Sequence, residues 1–278
     1  MELTTGQQLA PYRVVAHNGA LHSDNKIHDN EVAKQYGFAG GLVPGVTVHA
    51  YMCRPLAEAF GAEWVAHGTI NTRFLKPFYE GEQVTVEAVV SSVSAAGTTL
   101  DLRALNGAGE LCGTGTASMP AVPAPAPALS EFPAAPLPSI RPFATRGALE
   151  AIDILGSPLQ PGDAAAVEAF LAEAADTLPL WRGEGAVLHP GYIIRAANTI
   201  LVQNVQLGPW IHVSSDVTHF AALRPGDGFS TRGRVTDLFE RKGHSFVVLD
   251  LLMVAESGQP VVRVTHTAIY DVRKLPTS

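Results

Sequence analysis

The pattern of apolar and polar residues marks eight stretches of this chain as strand-like, with loose alternation at a period of two in the first half and a more regular pattern in the second. Such alternation is typical of β-strands with one buried face. The turn segments NGAGE and ESGQ lie between such stretches, which favours antiparallel neighbours. The stretches predicted as strands are residues 67–78, 80–93, 98–105, 111–119, 210–220, 227–239, 244–255 and 260–272.

A different spacing follows Pro44-Gly45, where apolar side chains recur every three or four residues from Val46 to Phe60. This spacing predicts an amphipathic helix. One helix wrapped by a mainly antiparallel sheet is the simplest arrangement that buries both apolar faces. Pro55 lies inside the predicted helix and lacks the N–H that a helix uses, so we expect the helix to kink or end near Arg54.

The chain contains the same unit twice. Identical residues recur 146 positions apart, and the pairs are Pro44-Gly45 with Pro190-Gly191, Trp64 with Trp210, Phe74 with Phe220, and Gly97 with Gly243. We therefore expect two units related by a pseudo-twofold axis, with a sheet edge of one paired to a sheet edge of the other.

The two copies are separated by a segment rich in proline. Residues 120–142 hold eight of the 20 prolines of the chain, a composition typical of an extended linker. The sequence thus predicts an N-terminal unit at residues 1–119 and a C-terminal unit at residues 143–278. A disordered tether between independent units is the alternative interpretation of the linker.

Composition limits the class of protein. Hydrophobic residues make up 46% of the 278 residues and charged residues 16%, and no stretch approaches the roughly 20 apolar residues of a membrane span. The net charge of −7 disfavours nucleic acid as a partner. Cys53 and Cys112 have no metal-ligand spacing, and the amino terminus lacks the features of a secretory signal. We expect a cytoplasmic protein without a disulfide framework.

One segment of the first copy has no counterpart in the second. It reads HSDNKIHDNEVAKQYGF, residues 22–38, and Gly45 follows it at the start of the predicted helix. Residues 22–45 contain, in order, a polar SDNKIH loop, an acidic helix, a Gly-Phe and a helix-opening glycine. This order of features resembles that of the MaoC-like, or type-2 enoyl-CoA hydratase, branch of the hotdog superfamily.

The resemblance depends on individual positions of the SDNKIH loop. Asn25, Ile27 and His28 match the Asn, the aliphatic residue and the His of the hydratase motif of that branch. Ser23 stands at the motif's Asp, and Lys26 stands at its Pro. The second copy has an alanine-rich helical segment instead, so we expect that copy to be non-catalytic and to shape the acyl pocket.

The resemblance implies an α+β fold, a double hotdog in which two antiparallel sheets each wrap around a central helix. It also implies a hydro-lyase of fatty acid metabolism that reversibly adds water to a 2-enoyl thioester, giving a 3-hydroxyacyl thioester. The partner would be an acyl-CoA or acyl-carrier thioester, with no metal and no other cofactor. The two copies would form an internal pseudo-dimer, and a further homodimer is left open.

The chemistry of hydration selects the candidate residues. One group must activate water and another must deliver a proton to the α-carbon, and Asp24 and His28 are the carboxylate and the imidazole available. Gly45 and Val46 would offer backbone N–H groups to the thioester carbonyl at the positive end of the helix dipole. Asn25 either binds substrate or positions its own loop by hydrogen bonds.

Two other functions stay open. Double-hotdog acyl-CoA thioesterases resemble the same architecture and carry an acidic residue in the second half, for which Asp216 is the candidate here. A duplicated hotdog with an altered motif could also bind acyl groups without catalysis. The chain has no Gly-x-Ser-x-Gly elbow, no P-loop and no dinucleotide-binding glycine motif.

Overall fold

A computed structural model describes residues 3–274 of the chain. The strands are β1 (Tyr12–Val15), β2 (Thr69–Phe74), β3 (Gln83–Ser94), β4 (Gly97–Leu105), β5 (Leu111–Pro120), β6 (Leu159–Gln160), β7 (Ile211–His219), β8 (Phe229–Arg241), β9 (His244–Ala255) and β10 (Pro260–Asp271). The helices are α1 (Asn30–Gln35), α2 (Gly45–Phe60), α3 (Ala62–His67), α4 (Arg146–Glu150), α5 (Ala164–Glu173) and α6 (Pro190–Asn204). Short 3-10 helices lie at Lys26–His28, Leu129–Glu131 and Pro179–Trp181.

All ten strands form one antiparallel sheet, in the order β1-β3-β4-β5-β2-β7-β10-β9-β8-β6. The first five strands of this order come from the first half of the chain and the last five from the second. The second half repeats the order of the first in reverse, as a twofold axis at the centre of the sheet requires.

The two halves meet where β2 pairs with β7. Ile70 lies opposite Val217 and Asn71 lies opposite Asp216, so residues 146 positions apart flank the centre of the pairing. The backbone groups of both inner edges are satisfied by this seam, as the sequence predicts. At the outer edges the exposed strands β1 and β6 have only four and two residues, which leaves little free edge for another chain.

Helices α2 and α6 pack against each other within one continuous core that contains apolar side chains from both halves. Gly191 permits this contact. A Cβ atom at Gly191 would lie 2.8 Å from the Cβ atom of Ala50 and 2.8 Å from the ring of Phe170, closer than packed carbon atoms approach. Neither half therefore completes its core alone.

Helix α2 does not end near Arg54, because it continues through Pro55 to Phe60. The prediction that proline ends the helix here is wrong. Proline removes one helical hydrogen bond, but Met52, Cys53 and Leu56 around it are all fully buried. The free energy of burying these side chains outweighs the lost bond.

The linker is packed against the second half. Phe132 is 2% exposed and lies with Leu252 and Val254 of β9 in a small apolar cluster. The backbone N–H of Ala135 also donates to Ser157 Oγ at 3.2 Å. These contacts argue against a free tether, while the unit boundaries at residues 119 and 143 stay a prediction.

The composition predicts neither a disulfide framework nor a membrane span. Cys53 and Cys112 are both buried and form no disulfide. Within residues 3–274, no helix is long and apolar enough to cross a membrane.

Candidate active site

The loop that is unique to the first half is fixed to the second half through Asn25. The Nδ2 group of Asn25 donates to the carbonyl of Trp210 at 2.9 Å, and the N–H of Trp210 donates back to Asn25 Oδ1 at 3.1 Å. The same Oδ1 accepts from the N–H of Ile27 at 3.3 Å and so caps the 3-10 helix that ends at His28. Ile27 is buried and anchors the loop in the interior.

His28 is oriented by two hydrogen bonds. Its Nδ1 lies 2.7 Å from the carbonyl oxygen of Leu42, and its Nε2 lies 3.2 Å from Asn25 Nδ2. A carbonyl oxygen only accepts and an amide nitrogen only donates, so Nδ1 carries the hydrogen and Nε2 holds a lone pair. His28 is thus assigned as a neutral imidazole with a basic Nε2.

Burial favours this neutral form. Desolvation lowers the pKa of His28 below its usual value of 6.5, and this effect outweighs the hydrogen bond to Leu42 and the charge of Glu173, which both raise it. His28 is therefore a base at neutral pH rather than a cation.

Helix α2 begins beside His28 with unsatisfied donors. Its N-cap is Pro44, which has no side chain that can accept a hydrogen bond. Thr47 and Val48 donate to the Pro44 carbonyl, but the N–H groups of Gly45 and Val46 have no partner among the described residues. Free N–H groups at a helix start bind a partly negative oxygen well.

Gly45 is held close to the second half by His212. A Cβ atom at position 45 would lie 2.8 Å from His212 Nδ1 and 3.0 Å from His212 Cβ. Only glycine allows the helix start to reach this position, which gives the repeated Pro-Gly a packing reason in the first half.

Two cavities meet at His28. One has a volume of about 230 Å³ and a mainly apolar wall that includes Phe38, Phe74, Phe78, Phe246 and Ile269. The other, called the polar cavity below, has a volume of about 570 Å³ and a wall that is half polar and includes Ser23, Asp24, Arg141, Glu173 and Arg195. The residues that line both cavities are Asn25, His28, Pro44, Asn198 and Trp210.

The predicted site residues are brought to this place from one loop and one helix. Asn25, His28 and Gly45 line the apolar cavity, and Asp24 and Val46 line the polar one. Asp24 is exposed and makes no hydrogen bond to another described residue. Both polar side-chain atoms of Asn25 are already bonded to the protein, which favours the loop-positioning interpretation of Asn25 over substrate binding.

Asp216, the carboxylate that the thioesterase hypothesis requires, lies outside both cavities. Asp216 is exposed on β7, between the buried residues Ser215 and Val217. Side chains alternate between the two faces of a sheet, so Asp216 points away from the core, and it lines neither cavity.

The matching helix start in the second half is closed. His189, which stands where the first half has Val43, caps α6 by accepting from the N–H of Gly191 at 2.9 Å. Its Nε2 donates to Asp176 Oδ2 at 3.3 Å. The rings of Phe170 and Trp181 lie against His189, which is fully buried. No free N–H and no imidazole lone pair face a cavity there, so the two halves differ in chemistry.

The residues of the second half that line the cavities and were not predicted as site residues include Glu173, Arg195, Asn198 and Trp210. Glu173 and Arg195 form an ion pair at 2.7 Å. Asn198 has a buried Oδ1 without a hydrogen-bond partner. They belong to regular helical or apolar patterns, and only the 146-residue repeat could have indicated that they face the first half.

Several buried histidines lie in the core, and one of them, His212, lines the apolar cavity. His212 Nε2 lies 2.9 Å from Ser215 Oγ, which lies 3.1 Å from His266 Nδ1. Burial lowers the pKa of His266 to about 3 and that of His49, beside Thr72, also to about 3. These rings are neutral core residues, and the described residues contain no group of three ligands suited to a metal.

Neither a protein-family model nor a curated protein matches this chain. Solved structures do match over almost the full length. The chain is 18% identical to the Mycobacterium tuberculosis protein Rv0216, which has a double hotdog fold, with a TM-score of 0.63 and 96% of each chain covered. Against a protein described as a MaoC domain dehydratase from Chloroflexus aurantiacus, the identity is 11% and the TM-score 0.63, with 98% and 96% covered. An acyl-ACP thioesterase from Bacteroides thetaiotaomicron gives 9% identity and a TM-score of 0.52, with 94% and 97% covered.

These likenesses define the architecture as an α+β double hotdog, which confirms the predicted fold class. The solved structures that share it include a second MaoC-like dehydratase, at 12% identity and a TM-score of 0.62 over 96% of this chain and 98% of that one. The branch that residues 22–45 resemble is therefore among the structural neighbours. At these identities the likeness establishes the fold, and function has to be argued from the site.

Proposed function

We propose that this protein is a hydro-lyase that adds water reversibly to a 2-enoyl thioester and gives a 3-hydroxyacyl thioester. One observation carries the proposal. His28 is a neutral base at the junction of an apolar and a polar cavity, next to the unpaired N–H groups that begin α2. A base for water, a binding place for an oxyanion and an acyl pocket are the three parts that hydration needs.

The apolar cavity suits the acyl chain of the substrate. Its wall of aromatic and branched side chains binds hydrocarbon by excluding water. The thioester carbonyl would then accept hydrogen bonds from Gly45 and Val46, and the carrier arm would run into the polar cavity. Arg141 and Arg195 line that cavity and are the cations available there for the anionic groups of CoA or of a carrier protein.

Water would attack from the polar cavity. Its oxygen bonds to C3 while one proton passes to Nε2 of His28, and the electron pair of the double bond moves onto the thioester oxygen. The N–H groups at the start of α2 stabilise the resulting enolate. Its collapse takes a proton at C2, which Asp24 on the wall of the same cavity relays from the imidazolium, so that the elements of one water are added.

The names of the structural neighbours support both enzyme classes that the sequence left open. MaoC-like dehydratases and an acyl-ACP thioesterase share the fold. The site favours the first class, because Asp216, the residue on which the thioesterase hypothesis rested, is exposed and lines neither cavity. A cytoplasmic location and a role in fatty acid metabolism stay predictions.

The proposal is tested with crotonyl-CoA. Purified protein should remove the absorbance of the conjugated enoyl thioester without releasing free thiol, and the reverse reaction should begin from 3-hydroxybutyryl-CoA. Release of thiol would replace the proposal by thioester hydrolysis. Binding without either change would replace it by a non-catalytic acyl-binding protein.

A further inference from the structure

The hydratase-like loop of this chain lacks one carboxylate. The position of the motif's Asp is Ser23, whose hydroxyl bonds the carbonyl of Asn25 within its own loop at 3.3 Å. Asp24, the next residue, is exposed. A base that takes a proton in a partly desolvated place needs a nearby negative charge, because the imidazolium is otherwise expensive to form. The loop itself provides no buried carboxylate for this purpose.

The second half provides one. Glu173, the last residue of α5, lines the polar cavity together with His28. Its side chain is only 16% exposed and is held in two places. Glu173 Oε1 accepts from Thr47 Oγ at 3.1 Å, and Glu173 Oε2 pairs with Arg195 at 2.7 Å.

The contact with Thr47 ties this carboxylate to the site. Thr47 is fully buried in the first turn of α2, two residues after Gly45. Gly19 lies against the same side chain, because a Cβ atom on Gly19 would meet Glu173 Cγ at 2.4 Å. The carboxylate is thus fixed between the start of α2 and the cavity that His28 faces.

We propose that Glu173 is the electrostatic partner of His28, and that its negative charge stabilises the imidazolium which forms when His28 takes a proton from water. The inference rests on the proposed function and adds a role for the second half. Glu173 acts through His28, so it is a positioning residue rather than a group that touches substrate.

The charges around His28 agree with this assignment. The charge of Glu173 raises the pKa of His28, against the larger effect of burial. Lys26 and Asp29 flank His28 on its own loop. The other charged and titratable side chains that line the two cavities beside His28 are Asp24, Lys76, Arg141, Arg195, His212 and His244.

The sign of the effect follows from the charges. In Glu173→Gln the negative charge is gone and Arg195 is left unpaired, so the pKa of His28 falls further. The limb of kcat/KM that requires unprotonated His28 then moves to lower pH. The plateau rate falls by about three- to tenfold, since a change of one pKa unit alters basicity tenfold.

The experiment compares pH profiles of kcat/KM for crotonyl-CoA in the full chain. Glu173→Gln should show the lower acid limb and the lower plateau with little change in KM. Arg195→Gln, which leaves Glu173 unpaired, should move the acid limb the other way. Glu168→Gln is the matched control, because Glu168 lies on the same helix, pairs with Arg182 and lines neither cavity; its profile should equal that of the wild type.

A direct titration separates this inference from the function itself. The imidazole signal of His28, assigned by its absence in His28→Ala, is followed by NMR in wild type and in folded Glu173→Gln. A downward shift of the His28 pKa in the variant is expected. An unchanged His28 pKa would overturn the role of Glu173, whereas wild-type protein without hydratase activity would overturn the proposed function. Should Glu173→Gln fail to fold, Glu173→Asp, whose shorter side chain draws the negative charge back toward α5, takes its place with a smaller shift in the same direction.

Discussion

Asn25 shows how one side chain can join two halves of a protein and orient a base. Its amide forms a two-way pair with the backbone of Trp210, caps the short helix of its own loop and donates to His28 Nε2. The contact at 3.2 Å to His28 is the one that a substrate water can replace. The other contacts keep the loop in place when this happens.

At this scale the first prediction concerns His28. His28→Ala should lower kcat for crotonyl-CoA by roughly 10²–10⁴-fold, because it removes a positioned general base. The melting temperature should change little, since the loop is also held by Asn25 and Ile27. His22→Ala is the control, because His22 is an exposed histidine of the same loop that lines neither cavity. Equal losses in both variants would mean that the loop, and not the imidazole, matters.

A second residue-scale prediction concerns the start of α2. Gly45→Ala places a methyl group 2.8 Å from His212 Nδ1, so the helix start or the histidine has to move. We expect a loss of stability of about 1–3 kcal/mol from overpacking and a fall in kcat larger than any change in KM. Gly147→Ala in α4 has nothing within 4 Å of the new atom and should be neutral in both measurements. A fully active Gly45→Ala would remove the helix start from the mechanism.

The sequence allowed only part of this site to be predicted. His28 and Asn25 were found because a local motif preserves their spacing. Glu173 and Asn198 were not found. They face the site only because the fold brings together residues that are more than a hundred positions apart in the sequence. The partnership of Asp24 with His28 stays a prediction, since proximity to a shared cavity does not establish proton transfer.

At the scale of elements, the two helix starts differ although their Pro-Gly sequences are the same. The start of α2 is open, and that of α6 is capped by His189, which Asp176 holds in place. Asp176 also pairs with Arg54 at 2.9 Å. A repeat in sequence therefore does not repeat the chemistry, because the residue before Pro-Gly decides whether the donors are free.

The capped helix start gives a prediction about stability and pH. Burial alone would raise the pKa of Asp176, but the hydrogen bond from His189, together with Leu178 and Arg54, holds it below the usual 3.8. The contribution of ionised Asp176 to the free energy of unfolding is therefore fully present above pH 3.8, the usual pKa. It is lost as the pH falls through the lower pKa of the folded state. Asp176→Asn should cost about 3–5 kcal/mol at pH 7 and progressively less in acid.

Chemical denaturation at several pH values measures this cost. Asp153→Asn is the control, since Asp153 is exposed and makes no ion pair with any residue that the structure describes. A cost of Asp176→Asn that stayed constant into strong acid would show that shape, and not charge, is what Asp176 contributes.

The long strands could be predicted from the sequence and the short elements could not. A long apolar or alternating run bounded by turn residues identifies a strand such as β9, whose predicted and observed bounds agree at residues 244–255. Strands β1 and β6 are too short to show a period, and they exist only because a neighbouring strand offers free backbone groups. Pro55 failed as a helix terminator because burial, which local sequence does not reveal, decides the end of α2.

At the scale of the whole molecule, one sheet and one core make the halves a single structure with one open site. Binding should therefore occur once per chain. Butyryl-CoA, which cannot be hydrated, should give a stoichiometry of about one in isothermal titration, because α6 offers no free donor. Val43→His, which copies the cap of α6 onto α2, should weaken this binding. Two equivalent sites per chain would contradict the asymmetry.

The central claim is that water adds to carbon and leaves the thioester intact. It is tested most directly by incubating crotonyl-CoA with the protein in water enriched in ¹⁸O and locating the label by mass spectrometry. The account predicts an intact 3-hydroxybutyryl-CoA with one ¹⁸O on C3, formed by wild type and not by His28→Ala. Label found instead in a free carboxylic acid, with CoA released, would contradict it.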